Sequence, residues 1–291
     1  MTRAVRAELL KIRTINVWWL MAIGLVAFTA LALLINSLEA HFTQFSHQST
    51  PTGMSPDDQA QFEQQEQRRY NEAHTVAGAA KIAANLYTSG QFFGVMLLLV
   101  LGALVVTNEF CHQTATATFL ATPHRTTVIM AKLVTATLLG FGGWLLTTVI
   151  NLTVGFLYLR SEGVPASFGH RDVAQSVALN LAAFVMWSIL GVALGVLIRS
   201  QIASVVTGIV VYLIGFAATS IVFSLINTYV IKEDWVLTAQ VIMPAIASVV
   251  MVTPGEAFPH APAQWVGAAV LLSYAVVAGT IGTLITRKRD I

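Results

Sequence analysis

Side chains that commonly carry out chemistry are few in this sequence, and none stand at the spacing of a known catalytic motif. There are seven histidines, and no two of them are placed to bind a metal ion from one helix face. The single cysteine, Cys111, excludes an intrachain disulfide and a cysteine-based zinc cluster. The phosphate-binding loop G-x-x-x-x-G-K-[ST] and the motifs H-E-x-x-H and G-x-S-x-G are absent. The sequence therefore predicts no catalytic, cofactor-binding or metal-binding residue in this chain.

Composition indicates a multi-pass membrane protein. Of the 291 residues, 56% are hydrophobic and 10% are charged, and the mean hydropathy is +0.72. A soluble domain carries about 25% charged residues, because water must wet its surface. The net charge is +2 and no basic patch is interleaved with aromatic residues, so nucleic acid is not an expected partner. The elements that must position any functional side chain are therefore membrane helices.

Six apolar segments are long enough to cross a bilayer, which needs roughly 20 helical residues. They are residues 17–38, 91–107, 133–159, 173–198, 202–226 and 265–286. A further uncharged segment, 235–252, contains Pro244, and a proline costs a helix interior about 3 kcal/mol. We interpret residues 227–264 as an external segment with a broken, re-entrant helix, and a full seventh span over residues 235–252 is the alternative. The prediction is an all-α, polytopic membrane protein with one transmembrane domain over residues 1–291.

The distribution of charge predicts which side of the membrane the termini face. With six spans both termini lie on one side, where ten basic residues accompany three acidic ones. The other side has six basic and eleven acidic residues. Because Lys and Arg are retained on the cytoplasmic side during insertion, the N and C termini are predicted to be cytoplasmic.

Residues 1–14 form a predicted basic helix on the cytoplasmic membrane surface. Val5, Leu9 and Ile12 share one face of this helix and would contact the lipid. The basic side chains around that face would lie among lipid phosphates: Arg3, Arg6, Lys11 and Arg13. A simple topology signal is a second interpretation of these charges, and it is compatible with the first.

The longest hydrophilic segment, residues 39–90, is predicted to be an external helical loop. Ser55 followed by Pro56 and two acidic residues is typical of a helix start. We expect one helix from Pro56 to about Tyr87. A binding site for an external partner and a solvated connecting helix are both open interpretations of this loop.

The cytoplasmic segment 108–131 is longer than a passive connection requires. It alternates small polar and apolar residues and then turns at Pro123. This pattern predicts a short surface helix followed by a helix that re-enters the membrane. Such a surface helix offers a firm contact for a cytoplasmic partner.

Few polar groups lie within the predicted spans, and no formal charge stands at mid-membrane. Lys132 and Arg199 stand at cytoplasmic ends, where their side chains can reach the surface. Gly191 and Gly195 form a GxxxG match that favours close helix packing. Four polar side chains are candidates for a translocation path: Thr148, Asn151, Asn180 and Tyr212. Hydrogen bonding between helices is the alternative role for these side chains.

In the order of these features the chain resembles the membrane subunits of ABC-2-type ATP-binding cassette transporters. The resemblance starts with the basic helix containing Glu8-Leu9-Leu10-Lys11-Ile12-Arg13 and continues with a span and a large external loop. The second span leads into a run that many members have in similar form: Glu109, Thr114, Leu120, Pro123, Arg125 and Lys132. Gln113 departs from the pattern, because members often have Gly before the Thr.

The resemblance implies a permease that obtains its energy from another protein. It implies a homodimer or heterodimer, in the cell membrane of a bacterium, that binds two copies of a cytoplasmic ATPase holding ATP and Mg. The implied contact residues are Glu109, Phe110, Thr114, Thr118, Leu120, Pro123 and Arg125. In this scheme Asn108 and Glu109 would cap the contact helix, and residues 235–262 would form an external gate. Arg125 would bind the ATPase or lipid phosphate, and a role in holding topology is the alternative for Arg125 and Lys132.

Export of an amphipathic, lipid-like, drug or peptide compound by an ATP-hydrolysing complex is therefore the expected function. The substrate and the direction of transport are left open by the sequence. The alternative is a membrane scaffold or sensor whose external loop 39–90 binds a partner. A membrane enzyme acting on lipids would need titratable groups gathered at one interface, and the sequence shows no such cluster.

Overall fold

A computed structural model describes residues 2–14, 17–46, 53, 55–114 and 125–288. These residues form helices and connecting turns, and no β-strand occurs among them. The helices are α1 (Thr2–Thr14), α2 (Val17–Ala40), α3 (Pro56–Ala73), α4 (Val76–Tyr87), α5 (Gln91–Cys111), α6 (Arg125–Ser161), α7 (Arg171–Leu197), α8 (Gln201–Tyr229), α9 (Asp234–Ala239), α10 (Pro244–Val252) and α11 (Gln264–Lys288). A π-helical turn, His41–Phe45, extends α2, and a 3-10 turn, Gln240–Ile242, follows α9.

Six of the described helical stretches are long and apolar enough to cross a membrane. They are α2 with its π-helical turn, α4 together with α5, and then α6, α7, α8 and α11. The predictions of an all-α protein and of six apolar helices of spanning length are thus confirmed. The orientation of the termini stays a prediction.

The helices on both sides of the cytoplasmic segment extend beyond the predicted apolar spans. Helix α5 continues to Cys111, past the predicted span end at residue 107, and α6 begins at Arg125, before the predicted span start at residue 133. Hydropathy marks where apolar residues end, whereas backbone hydrogen bonding continues until a cap ends the helix. The segment predicted over 108–131 therefore shrinks to residues 112–124, of which 115–124 lie outside the described residues.

The predicted start of the helix in the external loop is confirmed. The Ser55 hydroxyl accepts a hydrogen bond of 3.2 Å from the N–H of Asp58, and Pro56 occupies the first turn. This bond satisfies one of the N–H groups that the first turn of a helix leaves without a partner. Helix α3 begins where the capping pattern predicts, and most of its residues are exposed.

The prediction of a single external helix as far as Tyr87 is wrong. Thr75 caps a second helix, α4, because its hydroxyl accepts a hydrogen bond of 3.0 Å from the N–H of Gly78. The small residues of α4 are buried in the bundle: Ala79, Ala80, Ala83 and Ala84. The second half of the predicted loop is therefore part of the bundle, and only the first half has the exposure expected of a loop.

Helix α5 is the centre of the bundle and packs closely against α7. A Cβ atom on Gly191 of α7 would collide with the carbonyl oxygen of Leu99 in α5. A Cβ atom on Gly195 would lie 2.7 Å from the carbonyl oxygen of Ala103, and one on Gly102 of α5 would collide with the carbonyl oxygen of Ser188 in α7. The close packing that the GxxxG match favours is confirmed.

The uncharged segment before the last span is broken, as Pro244 predicts. Helix α9 and its 3-10 turn end at Ile242, α10 begins at Pro244, and the two parts are bent by 105°. Pro244 stands in the first turn of α10, where its missing N–H removes no helical hydrogen bond. Most residues of α10 are buried. That this segment enters the membrane from the outside stays a prediction.

Candidate functional site

Four charged side chains from three helices meet at one end of the bundle. Glu8 and Lys11 lie on α1, Glu109 lies in the last turn of α5, and Lys132 lies on α6. The Lys11 Nζ atom is 2.7 Å from Glu8 Oε1 and 2.5 Å from Glu109 Oε1. The Lys132 Nζ atom is 2.8 Å from Glu8 Oε2 and 3.0 Å from Glu109 Oε2. Each lysine bridges both carboxylates, and we refer to these four residues as the four-charge cluster.

The four-charge cluster is nearly closed to solvent. Glu8 and Glu109 are each 4% exposed and Lys132 is 5% exposed, while Lys11 is partly exposed. Removing a charge from water costs several kcal/mol unless partners compensate it. Here two positive groups balance two negative ones, and Lys132 also donates a hydrogen bond of 3.1 Å to Val105 O. Loss of any one member would leave an uncompensated charge in a dry place.

The surroundings of Lys11 keep its side chain positively charged. Partial burial alone would lower the pKa of Lys11, but the carboxylates of Glu109 and Glu8 outweigh burial and raise that pKa above its ordinary value of 10.5. A lysine held charged is neither a base nor a nucleophile at neutral pH. Among the described residues, no group of three His, Cys, Asp or Glu side chains is placed to hold a metal ion. The paired charges of the cluster favour a link between helices.

The inward face of α1 differs from the apolar face that the sequence predicts. Glu8 is buried in the middle of the helix, whereas Leu9 is 37% exposed, and contact of Val5, Leu9 and Ile12 with lipid stays a prediction. A buried carboxylate must face its cations, and one of them, Lys132, lies on α6. The other basic side chains of the helix are exposed: Arg3, Arg6 and Arg13. Contact of these side chains with lipid phosphates stays a prediction.

Glu109 is positioned by the motif that ends α5. Gln113 has a left-handed backbone with a φ of 55°, and the N–H of Thr114 donates a hydrogen bond of 2.9 Å to Glu109 O. This geometry is a Schellman motif, in which Gly is the usual residue at the left-handed position. Gln113, which stands where members of the transporter family often have Gly, occupies this left-handed position. The expectation that Asn108 and Glu109 cap a contact helix is wrong, since both belong to the last turn of α5.

Two expectations about charge at the membrane boundary are wrong. The ammonium group of Lys132 does not reach the surface, because it is buried between α1, α5 and α6. The sequence also predicts no cluster of titratable groups, but in the structure Lys132 lies within 3.0 Å of the carboxylates of Glu8 and Glu109. Glu8 and Lys132 are 124 residues apart, so neither spacing nor a local motif could bring them together.

Glu8 and Lys132 are therefore candidate site residues that the sequence pattern includes in the resemblance but does not mark as interacting. One signal for the cluster exists in the sequence. Only three acidic residues fall on the side predicted to be rich in Lys and Arg, and two of them are Glu8 and Glu109. An unpaired acidic residue near a membrane is energetically costly. An acidic residue on the side rich in Lys and Arg therefore indicates an ion pair.

The remaining residues of the implied ATPase contact differ in their surroundings, and the side chains of some lie outside the described residues. The ring of Phe110 lies under Arg199, whose guanidinium carbon is 5.3 Å from the ring centroid. The end of α5 thereby also contacts the connection between α7 and α8. Thr114 is exposed. The side chain of Arg125, where α6 begins, lies outside the described residues, as do Thr118, Leu120 and Pro123.

Comparison with protein families assigns this chain to one family. A family model described as protein of unknown function, DUF2705, matches residues 54–291. The chain belongs to this family. The match covers α3 to α11 and includes Glu109 and Lys132, while Glu8 and Lys11 precede it. No curated protein matches the chain.

The four polar residues considered for a translocation path are buried in this DUF2705 protein. Asn151 Nδ2 donates a hydrogen bond of 2.9 Å to Ser89 O, and Tyr212 OH donates one of 2.8 Å to Phe92 O. These bonds join α6 and α8 to the beginning of α5, in the role of links between helices. Two further buried atoms have no partner among the described residues: Thr148 Oγ1 and Asn180 Oδ1. A role of these four residues in a path stays a prediction.

Proposed function

We propose that this chain is the membrane subunit of an ABC-2-type transporter that exports an amphipathic compound and is driven by a separate cytoplasmic ATPase. The observation that carries the proposal is the four-charge cluster. The cluster joins α1 to the end of α5 and the start of α6, the two helices on either side of residues 115–124. Under the proposal, residues 112–124 meet the ATPase.

The cluster would give this end of the bundle the stiffness that a force-receiving part needs. Three ion pairs of 2.5–3.0 Å connect α1, α5 and α6, a fourth lies within α1, and Phe110 adds a contact to the connection between α7 and α8. A displacement of residues 112–124 would therefore move α1, α5 and α6 together. Because α5 is the buried centre of the bundle, its movement would displace the helices packed around it at the end opposite the four-charge cluster.

The proposal requires an external source of energy and a defined orientation. The sequence has no phosphate-binding loop, so two copies of the partner ATPase would hold the ATP and Mg for a permease dimer. The chain would have no catalytic site of its own. The charge asymmetry supports cytoplasmic termini, which would place the four-charge cluster next to the ATPase in the cell membrane.

Purification of the tagged chain from its native membrane tests the proposal. Mass spectrometry should identify a co-purifying ATPase with a phosphate-binding loop. Vesicles containing both proteins should show ATP-dependent movement of an amphipathic dye. The proposal is wrong if no ATPase is retained and an added ATPase supports no ATP-dependent movement.

A matched pair of lysine variants separates coupling from assembly. Lys11→Met removes a charge from the four-charge cluster, and Lys81→Met removes an exposed charge from α4. We expect the Lys11→Met complex to retain the ATPase and hydrolyse ATP while its transport falls several-fold. The Lys81→Met complex should transport like the wild type. Equal transport by both variants would contradict the role given to the cluster.

The scaffold or sensor interpretation makes the opposite prediction. On that interpretation, deletion of residues 56–72 from the exposed helix α3 would abolish function, and Lys11→Met would have little effect. On the transporter proposal, the deletion leaves ATPase binding intact, because α3 lies outside the helices joined by the cluster. The two variants therefore give opposite patterns for the two interpretations.

A further inference from the structure

A cleft of about 620 Å³ lies at the end of α5 opposite the four-charge cluster. It is bounded by α2 with its π-helical turn, by α4, by the beginning of α5 and by the end of α10. Small-molecule sites typically have volumes of roughly 300–1,000 Å³. The cleft and the cluster are separated by the length of α5, about 30 Å for its 21 residues. The cleft is therefore a separate site.

One part of the cleft is apolar and aromatic. Phe92 and Phe93 begin α5 and line the cleft, with Ile35 of α2 and Val249 and Val252 of α10. Burial of an alkyl group contributes about 25 cal/mol for each Å² of apolar surface removed from water. This wall suits an alkyl chain or an apolar ring system.

The other part of the cleft holds hydrogen-bonding groups that are already fixed in place. Asn36 Nδ2 donates a hydrogen bond of 2.8 Å to Ser89 Oγ, and Gln91 Nε2 donates one of 3.2 Å to Ser248 O. Ser89 and Gln91 are buried where α4 turns into α5, and Gly90 between them has a φ of 77°, which favours glycine. The polar wall is therefore preorganised by bonds between α2, α5 and α10.

Glu39 is the one charged residue among the described residues that line the cleft. Its side chain is exposed, and in the part of the chain that the structure describes no basic side chain forms an ion pair with it. A carboxylate attracts an ammonium group by Coulomb forces. The carboxylate and the apolar wall together favour an amphiphile with a cationic head group.

We propose that this cleft binds an amphiphile whose head group carries a positive charge, such as an alkylammonium compound. The ammonium group would approach Glu39, and the alkyl chain would lie along the wall formed by Ile35, Phe92 and Phe93. Binding is a property of the chain by itself and does not need an ATPase. Only the further step, that this ligand is the exported compound, rests on the proposed function.

Photo-crosslinking of the purified chain in lipid nanodiscs tests the site. The probe is a dodecyl chain with a diazirine and a trimethylammonium head, and the same chain with a sulfonate head is the charge control. We expect the cationic probe to label peptides from residues 32–44 and 82–93, and the sulfonate probe to label them far less. Equal labelling by the two probes, or labelling confined to other segments, would overturn the proposal.

Two matched pairs of variants sharpen this test. We expect Glu39→Gln to weaken binding of the cationic probe about two- to fivefold, the range that a partly exposed ion pair supplies. Glu63→Gln on the exposed helix α3 should leave binding unchanged. Ala32→Trp should fill the cleft from α2 and reduce labelling, whereas Ala30→Trp, which is exposed on the same helix, should not. Wild-type binding by both Glu39→Gln and Ala32→Trp would refute the site.

Competition identifies the source of the ligand. Excess dodecyltrimethylammonium should displace the probe, and failure to do so would contradict specific binding. Displacement by added phosphatidylcholine as well supports a lipid head group as the occupant, and resistance to it supports a free cationic amphiphile. A negative binding result leaves the ATPase purification unaffected, so failure of this proposal and failure of the proposed function are distinguishable.

Discussion

At one end of α5 the carboxylate of Glu109 lies 2.5–3.0 Å from two lysines and is buried, whereas at the other end the carboxylate of Glu39 is exposed in an open cleft. Both residues are acidic and both lie near the end of a spanning helix. The difference is in their surroundings. The first carboxylate is neutralised within the protein, and the second is paired with no described basic side chain.

The comparison of Glu109 with Glu39 shows that burial decides whether a carboxylate joins helices or is open to a ligand. A charge removed from water is tolerated only with compensating partners, so the four-charge cluster is a closed joint with little capacity for a ligand. A partly exposed carboxylate keeps its hydration and can exchange it for a cationic ligand. The two ends of α5 therefore suit different tasks, a mechanical link at one end and recognition at the other.

Labelling of the single cysteine has the largest expected effect, because the result is all or nothing. Cys111 is exposed at the cluster end of α5. If that end is cytoplasmic, a membrane-impermeant maleimide should label Cys111 only after the cells are opened. In a Cys111→Ser background, Glu63→Cys on α3 is the control and should be labelled in intact cells. Labelling of Cys111 in intact cells would reverse the orientation and contradict the ATPase contact.

Removal of one buried charge should have the next largest effect. Lys132→Met leaves two carboxylates with one lysine, and breaking a buried ion pair in this way costs about 3–5 kcal/mol of unfolding free energy. Thermal unfolding in detergent measures the loss, and Lys81→Met, an exposed lysine, should stay within about 0.5 kcal/mol of the wild type. The double variant Glu8→Gln with Lys132→Met should be more stable than the sum of the two single variants predicts. Strict additivity would mean that the two charges do not interact.

Substitution of two glycines tests the packing of α5, the helix that runs from the cleft to the four-charge cluster. Gly191→Ala should destabilise the protein by about 1–3 kcal/mol, because the new methyl group meets the backbone of α5. Gly142→Ala on α6 has open space around the new methyl group and should be neutral or slightly stabilising. Thermal unfolding of both variants checks this difference. Similar stability of the two would show that α5 and α7 separate easily.

The smallest expected effect is a dependence of stability on alkaline pH. The pKa of Lys11 is raised in the folded state, so the stability from its ion pairs is complete below the unfolded value of 10.5 and is lost as the pH rises through the higher folded value. Unfolding temperatures from pH 8 to pH 11.5 should therefore fall more steeply for the wild type than for Lys11→Arg, since arginine stays charged over this range. Parallel curves would show that Lys11 contributes little to the cluster.

The predictions from sequence that depend on residues close together in the chain can be separated from those that depend on distant residues. The cap at Ser55, the break at Pro244 and the close approach at Gly191 all follow from local rules, and all three are confirmed. The end of α5 is also set locally, by the Schellman motif, but hydropathy cannot detect it. The burial of α4 was not predictable from its sequence, since an alanine-rich helix is stable both in solvent and in a bundle.

The sequence by itself determined the all-helical character of the described residues and the six apolar helices of spanning length, because apolar length acts on each segment separately. Only the tertiary structure decided that Glu8, Lys11, Glu109 and Lys132 meet, and that Glu39 stays exposed beside a cleft. The physical reason is that compensation of a charge depends on which helices pack together. Glu8 and Lys132 are 124 residues apart, and neither residue type nor spacing encodes that contact.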